Sequence, residues 1–366
     1  QFKMTILRTL LGVIGGGLLL SETALAAGTT ALGVPEAREV PVQVTASGPV
    51  LLFSDSPELV HGTGVLYRDT VTGPARIFVH HLNGTKRNLK LAVVVRPAGV
   101  DAATLVIKRS GISEPSANYA KAAKDSQKKY FTRQTPETIS LNHYQFRELL
   151  TGSSEFEAGL ILRPEQLATG MVYFEARGPV TVSVLMCEAS EMPSVYNKTA
   201  PILPMDEHPL RGTYDHANLT YTVTEPIDFT KSDVYYLRMG ADEEPYFLKG
   251  VDATTGRKTM NNGNYGVIYR LRYQVQGGQP YALRINPSGG YFAGYAVYKQ
   301  TDTRQLVPIP DGEEEAFGKT GREMYTFATV PGASGMREGL FVWSPPGASN
   351  LPIRFYWQAI KKDQDK

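Results

Sequence analysis

The sequence predicts a mainly all-β protein: two antiparallel β-sandwich-like domains, with a short helical insertion in the first. Three observations lead there. Glycine and proline, 35 and 24 of 366 residues, punctuate short apolar runs at frequent intervals. Tyrosine, at 20 residues, is abundant and suits a pleated, half-buried surface. Residues 267–275 alternate strictly: Val267, Tyr269, Leu271, Tyr273 and Val275 face one way, and Ile268, Arg270, Arg272 and Gln274 the other. That period of two belongs to a strand and not to a helix.

Residues 1–26 read as an export signal. Arg8 precedes an apolar run over 10–20, and Ala24-Leu25-Ala26 supplies small residues at Ala24 and Ala26 for cleavage. The run is shorter than the roughly 20 residues that span a bilayer, so no membrane association is expected once the signal is removed. About 340 residues remain, which suits two domains of ordinary size. Residues 27–48 are expected to be an extended linker or edge strand.

The first domain is placed at 49–190. Residues 50–53 end at Ser54-Asp55-Ser56-Pro57, and 75–82 with 89–95 read as an antiparallel hairpin closed at Asn83-Gly84. Residues 103–108 form the next strand. A helix capped by Ser116 is expected over 116–124, with shorter helical turns at 141–150 and 164–170. Strands resume at 171–176 and 180–186, joined by a turn at Arg177-Gly178-Pro179. A proline-rich linker at 191–211 leads to the second domain, 212–366. There, strands are read at 212–224, 267–275, 281–285, 291–298, 323–330, 340–343 and 353–359, with a strong turn at 286–290.

Charge and cysteine content exclude several functions. Lysine plus arginine number 38 against 36 acidic residues, so no basic field for nucleic acid exists. Cys187 is alone in an apolar run and reads as a buried thiol, which excludes intrachain disulfides and clustered-cysteine metal sites. The sequons at Asn83, Asn197 and Asn218 read as surface loops. Gly318-Lys319-Thr320 resembles the tail of a phosphate loop, but Glu313 stands where the first glycine is needed, so 311–321 reads as an exposed acidic turn.

No catalytic set, cofactor or metal site emerges. Asp206, His208, Asp215 and His216 are weak candidates for a metal, offering oxygen and nitrogen donors without a compact motif. His80 and His81 are adjacent on a strand and point to opposite faces, so they cannot chelate together. Among the tyrosines crowded between 214 and 298, Tyr246, Tyr265, Tyr291 and Tyr295 are candidates for binding by stacking, although strand packing accounts for most of the crowding.

Phrases across most of the chain resemble a set of exported Firmicutes-type bacterial proteins labelled copper amine oxidase N-terminal domain-containing. They include Phe53-Ser54-Asp55-Ser56-Pro57-Glu58, Arg163-Pro164-Glu165-Gln166-Leu167, Tyr246-Phe247-Leu248-Lys249-Gly250-Val251-Asp252 and Ser344-Pro345-Pro346-Gly347-Ala348-Ser349-Asn350. The resemblance covers the β-rich portion, without the appended repeat module that carries the label. Catalytic amine oxidases need a quinone-forming tyrosine followed by an acid and three copper-binding histidines. Here Tyr265 is followed by Gly266 and no His-x-His pair exists, so amine oxidase activity is not expected.

The reading is therefore an exported, non-catalytic cell-surface or extracellular protein. Its expected role is structural or in assembly, as a self-associating filament or layer subunit whose partners are itself or other envelope proteins. The alternatives are a binder of cell-wall polysaccharide, using exposed tyrosines, and a hydrolase whose site assembles only in three dimensions.

Overall fold

The computed structural model describes residues 22–153, 158–243, 245 and 247–361. Strands make up 51% of the chain and helices 6%, which establishes the all-β class. A four-residue helix, α1 (Glu22–Leu25), precedes three short strands: β1 (Thr29–Leu32), β2 (Arg38–Glu39) and β3 (Val42–Ser47). Then come β4 (Val50–Ser54), β5 (Leu59–Val60), β6 (Gly64–Asn83), β7 (Leu89–Pro97) and β8 (Ala103–Ile112). The main helix, α2 (Tyr119–Phe131), is followed by β9 (Glu137–Leu141), β10 (Arg147–Glu148), β11 (Leu160–Leu162), β12 (Leu167–Glu188) and a short helix, α3 (Pro193–Tyr196). The remaining strands are β13 (Arg211–Tyr214), β14 (Asn218–Val223), β15 (Ile227–Asp228), β16 (Val234–Met239), β17 (Lys249–Asp252), β18 (Arg257–Met260) and β19 (Ile268–Gln276). They continue as β20 (Tyr281–Asn286), β21 (Gly294–Gln300), β22 (Thr303–Ile309), β23 (Glu323–Val330), β24 (Arg337–Trp343) and β25 (Ile353–Ala359).

A twelve-stranded sheet is built around the ribbon of β6 and β12. These strands pair from Leu167–Leu82 to Met186–Gly64, with a register shift between Ala176 and Val180. Arg177-Gly178-Pro179 is thus a bulge within one long strand and not the turn its residues suggest, because an irregularity of this kind bends a strand without ending it. The first half of β12 also pairs with β8, and its second half with β7. β12 therefore lies between β6 and β7, which are not partners. The expected hairpin at Asn83-Gly84 is corrected: the Asn83 side chain bonds the carbonyls of Arg87 and Leu162, tying the connection over the end of the ribbon. Alternate residues of β12, from Ala168 to Met186, enter an aliphatic cluster with Leu91, Val93 and Leu105.

Two other sheets, of six and seven strands, face each other. The first has the order β1-β23-β20-β25-β16-β2 and the second β22-β21-β24-β19-β14-β3. Aromatic rings interlock between them: Phe341 on β24 lies 4.9 Å from Phe355 on β25, and Tyr273 on β19 lies 5.2 Å from Trp357. The alternation of 267–275 reappears in β19 from Tyr269 on, with Arg272 and Gln274 exposed and Arg270 half-buried, whereas Ile268, expected on the wet face, is buried in the core.

Sheet pairing carries the chain across the boundary expected near 190–211. β13, β17 and β18 join the twelve-stranded sheet, while β1, β2 and β3 join the edges of the other two. The proline-rich stretch is anchored: the Val65 amide donates to the Pro201 carbonyl, and the Leu203 amide donates to the Val65 carbonyl. Between β1 and β2, residues 33–37 cross the outer face of the six-stranded sheet. Val34 and Ala37 of this strap cover Val234, Met324 and Tyr356.

Local helix expectations need correction. Asn118 caps α2, its side chain accepting from the Lys121 amide, while Ser116 accepts from the Asn118 amide one step earlier. Residues 141–150 form turns and β10, and β12 starts at Leu167 within the other expected helix. Asn83 and Asn218 are buried, so these sequons are not the surface loops anticipated. Cys187 is buried as expected, and burial pushes its thiol up to about 12.

Candidate functional site

Three places concentrate polar chemistry, and all lie where chain segments from distant parts of the sequence meet. The first is a buried knot where β4 runs into the cis Ser56–Pro57 bond. His81, fully buried on β6, lies 2.9 Å from the Pro57 carbonyl through Nδ1. A carbonyl only accepts, so Nδ1 carries the proton and Nε2 accepts from Ser54 Oγ at 2.8 Å. Burial lowers His81 to about 4, in keeping with a neutral ring. This is the hydrogen bond a serine nucleophile and its base would make, yet both residues are wholly buried.

On the other face of β6, His80 Nδ1 is 3.0 Å from Thr169 Oγ1, and Nε2 is 3.6 Å from Glu58. Gly347 packs against this ring, since a Cβ there would lie 2.6 Å from Nδ1. Asp55 is buried beside it, with Oδ1 lacking a partner among the described residues. Burial pushes Asp55 up to about 8, against the pull of His80. Burial also opposes the His80 imidazolium, but the charges of Asp55 and Glu58 outweigh it and raise the ring's pKa. His80 in turn holds Glu58 below the ordinary carboxylate range.

The second place is a buried ion pair. Arg211 Nε and Asp252 Oδ2 are 3.0 Å apart, each about 1% exposed. Arg211 also donates to the carbonyls of Leu66 and Leu203 and to Thr254 Oγ1. Its donors are spent on fixed partners, which a buried charge requires.

The third is the α2 junction. Lys121, Lys124 and Lys128 recur at helical spacing and face the acidic 311–315 turn. Lys121 pairs with Glu314 and Lys128 with Glu313, while buried Lys124 donates to the carbonyls of Pro310 and Gly312. Gln127 accepts from the Tyr295 amide and donates to the Ser344 carbonyl. Nearby, Arg76 of β6 donates to Tyr130 of α2, to the carbonyls of Ala217 and Gly266, and to Asn218. A cleft of about 350 Å³ opens beside the helix, lined by Pro115, Ala117, Lys121, Tyr295 and Glu313.

Among the described residues, no three His, Cys, Asp or Glu side chains form a group able to hold a metal. The four weak metal candidates are spread. Asp206 turns inward to Ser56 Oγ and the Glu58 amide, His208 is exposed beside it, and Asp215 and His216 are exposed in the turn after β13. Of the tyrosines, Tyr246 lies outside the described residues. Tyr265 is committed to the core, its ring near Phe78 and its hydroxyl donating to the Ser349 carbonyl. Tyr291 is half-buried, and Tyr295 alone of the four lines the cleft. Ala24 and Ala26 are at and just beyond the end of α1, with the Ala24 carbonyl accepting from Thr29 and Thr326. Asp55 and Glu58 carry only a turn signal in the sequence, and the histidine that meets them, His80, lies more than twenty residues away.

No family model and no curated protein matches the chain. Among solved structures, the arabinofuranosyltransferase AftD from Mycobacteria aligns at 9% identity and a TM-score of 0.23, over 88% of this chain and 36% of its own. Tripeptidyl peptidase 2 aligns at 6% identity and 0.16, over 89% of this chain and 24% of its own. A vicilin from Solanum melongena aligns at 8% identity and 0.15, over 86% of both chains. This chain therefore spans about a third and a quarter of the first two, and at such scores the likenesses carry no argument.

Proposed function

We propose that this is an exported, non-catalytic protein of the cell surface or extracellular space, with a structural role in assembly. The observation that carries the reading is the use of its polar groups. Arg76, Lys124, Gln127 and Arg211 spend their donors joining distant parts of the chain, and the Ser54–His81 pair is sealed. Such an arrangement resists relative movement of the parts, which suits a scaffold. The near-balanced charge also favours self-association over mutual repulsion. The test is sedimentation of the purified chain over a wide concentration range, together with imaging of cell-surface material. Concentration-dependent association supports the proposal; a strict monomer at every concentration overturns it.

A second reading, glycan binding, draws on Tyr295 in the 350 Å³ cleft. It predicts retention on peptidoglycan, cellulose or chitin that Tyr295→Ala abolishes. Absence of retention on all three removes it.

A further inference from the structure

The residues between β1 and β3 form the outermost strands of both facing sheets. β1 pairs with β23 and β2 with β16, at opposite edges of the six-stranded sheet, while β3 pairs with β14 at the edge of the seven-stranded one. We infer that this segment, 28–47, is an exchangeable arm that docks onto the same edges of a second copy of the chain. The inference rests on the assembly reading above and names its device.

Four observations support it. The arm is attached largely through the main chain: the amides of Gly28, Gly33 and Val40 donate to the carbonyls of Thr326, Arg322 and Tyr236, beside the strand ladders themselves. Strand addition of this type takes its affinity from backbone hydrogen bonds, which an identical copy offers in identical register. Specificity comes from a short row of side chains: Val40 enters the aromatic core, Val42 and Val44 pack against its edge, and Val34 and Ala37 cover the patch on the outer face. Leu32, by contrast, is 68% exposed, so β1 contributes little burial to hold it at home.

The fourth observation is the hinge. Only Gly48 and Pro49 separate β3, in one sheet, from β4, in another. Gly48 has φ +87°, and a Cβ there would lie 2.2 Å from the Asn218 side-chain nitrogen. A tight hinge that tolerates only glycine is the element that opens when arms are exchanged, because the open form extends it and relieves the crowding. In a dilute solution the tethered arm has an effective concentration of millimolar order and stays on its own sheet. Crowding of copies shifts it to a neighbour.

The experiment uses the register of β3 with β14. Gln43 and Thr222 are paired and both exposed, and Cys187 is buried out of reach. One preparation carries Gln43→Cys and another Thr222→Cys; they are mixed, unfolded, refolded together at high concentration and oxidised. Exchange predicts an inter-copy disulfide in about half of the exchanged pairs, those that join one chain of each kind, while a chain carrying both substitutions crosslinks within itself when dilute. Gly48→Ala, which strains the closed hinge, should raise the associated fraction several-fold at a fixed concentration. Association without an inter-copy disulfide overturns the exchange and leaves the assembly reading standing. A strict monomer overturns both.

Discussion

The two principal cores bury their strands with different side chains. Inside the twelve-stranded sheet the cluster is aliphatic, with Tyr67 and Phe174 its aromatic members among many Val, Leu and Ala. Between the facing sheets nearly half the buried cluster is aromatic, including Phe327, Phe341, Phe355 and Trp357. The difference follows from geometry. Neighbouring strands of one bent sheet bring small branched side chains into contact directly, whereas two sheets packed about 10 Å apart need longer groups to meet. The tyrosine abundance of the second half is thus chiefly packing. Tyr235 shows how the polar end is accommodated: its hydroxyl reaches the Asp228 carbonyl at the margin of the core.

The largest expected effect tests that contrast directly. Trp357→Ala should cost about 3–5 kcal/mol in urea unfolding, because the rings of Tyr273 and Phe355 lose a buried contact that no neighbour can restore. A loss below 1 kcal/mol would mean that the aromatic core collapses around the gap as an aliphatic one might. Arg211→Met comes next, at about 3–5 kcal/mol, since it leaves Asp252 buried without its partner. The double variant Arg211→Met, Asp252→Leu should recover much of this; if it is as unstable as the single one, the charges matter less than the shape they fill.

A third prediction concerns pH. The folded pKa of Asp55, about 8, lies above the ordinary carboxylate value near 4, so folding retains a proton between them. The contribution of Asp55 is fully present below about pH 4 and is lost as pH rises through about 8. Asp55→Asn should flatten the melting temperature profile over that window and raise stability at its alkaline end relative to the native chain. An unaltered profile would show that Asp55 does not titrate there. The smallest effect is expected at the helix: Asn118→Ala removes the cap of α2 and should cost about 1 kcal/mol, measured by thermal unfolding.

Much of the fold is legible in the residues where one physical signal acts alone. The alternation over 267–275 becomes β19 because a half-wet strand satisfies it. The features that escape are those set by distant partners. Gly178-Pro179 carries a turn signal, but hydrogen bonds from β6 continue across it. Asn83-Gly84 permits a hairpin, but 75–82 pairs with the first half of β12 and 89–97 with its second half. The extended character of 27–48 is visible in its composition, whereas its division among three sheet edges is not. In the polar knot, the placement of His80 and His81 on opposite faces follows from the strand period, yet Ser54, Asp55 and Thr169 reach them only through tertiary pairing.

The order of the six-stranded sheet has a mechanical consequence. β25 lies at its centre, bonded on one side to β20 and on the other to β16. Tension applied along β25 must shear two ladders together, with many hydrogen bonds sharing the strain. Tension applied through β1 meets one ladder at an edge and opens it a pair at a time. The molecule is therefore mechanically anisotropic: stiff when pulled from one end of its chain and readily peeled from the other.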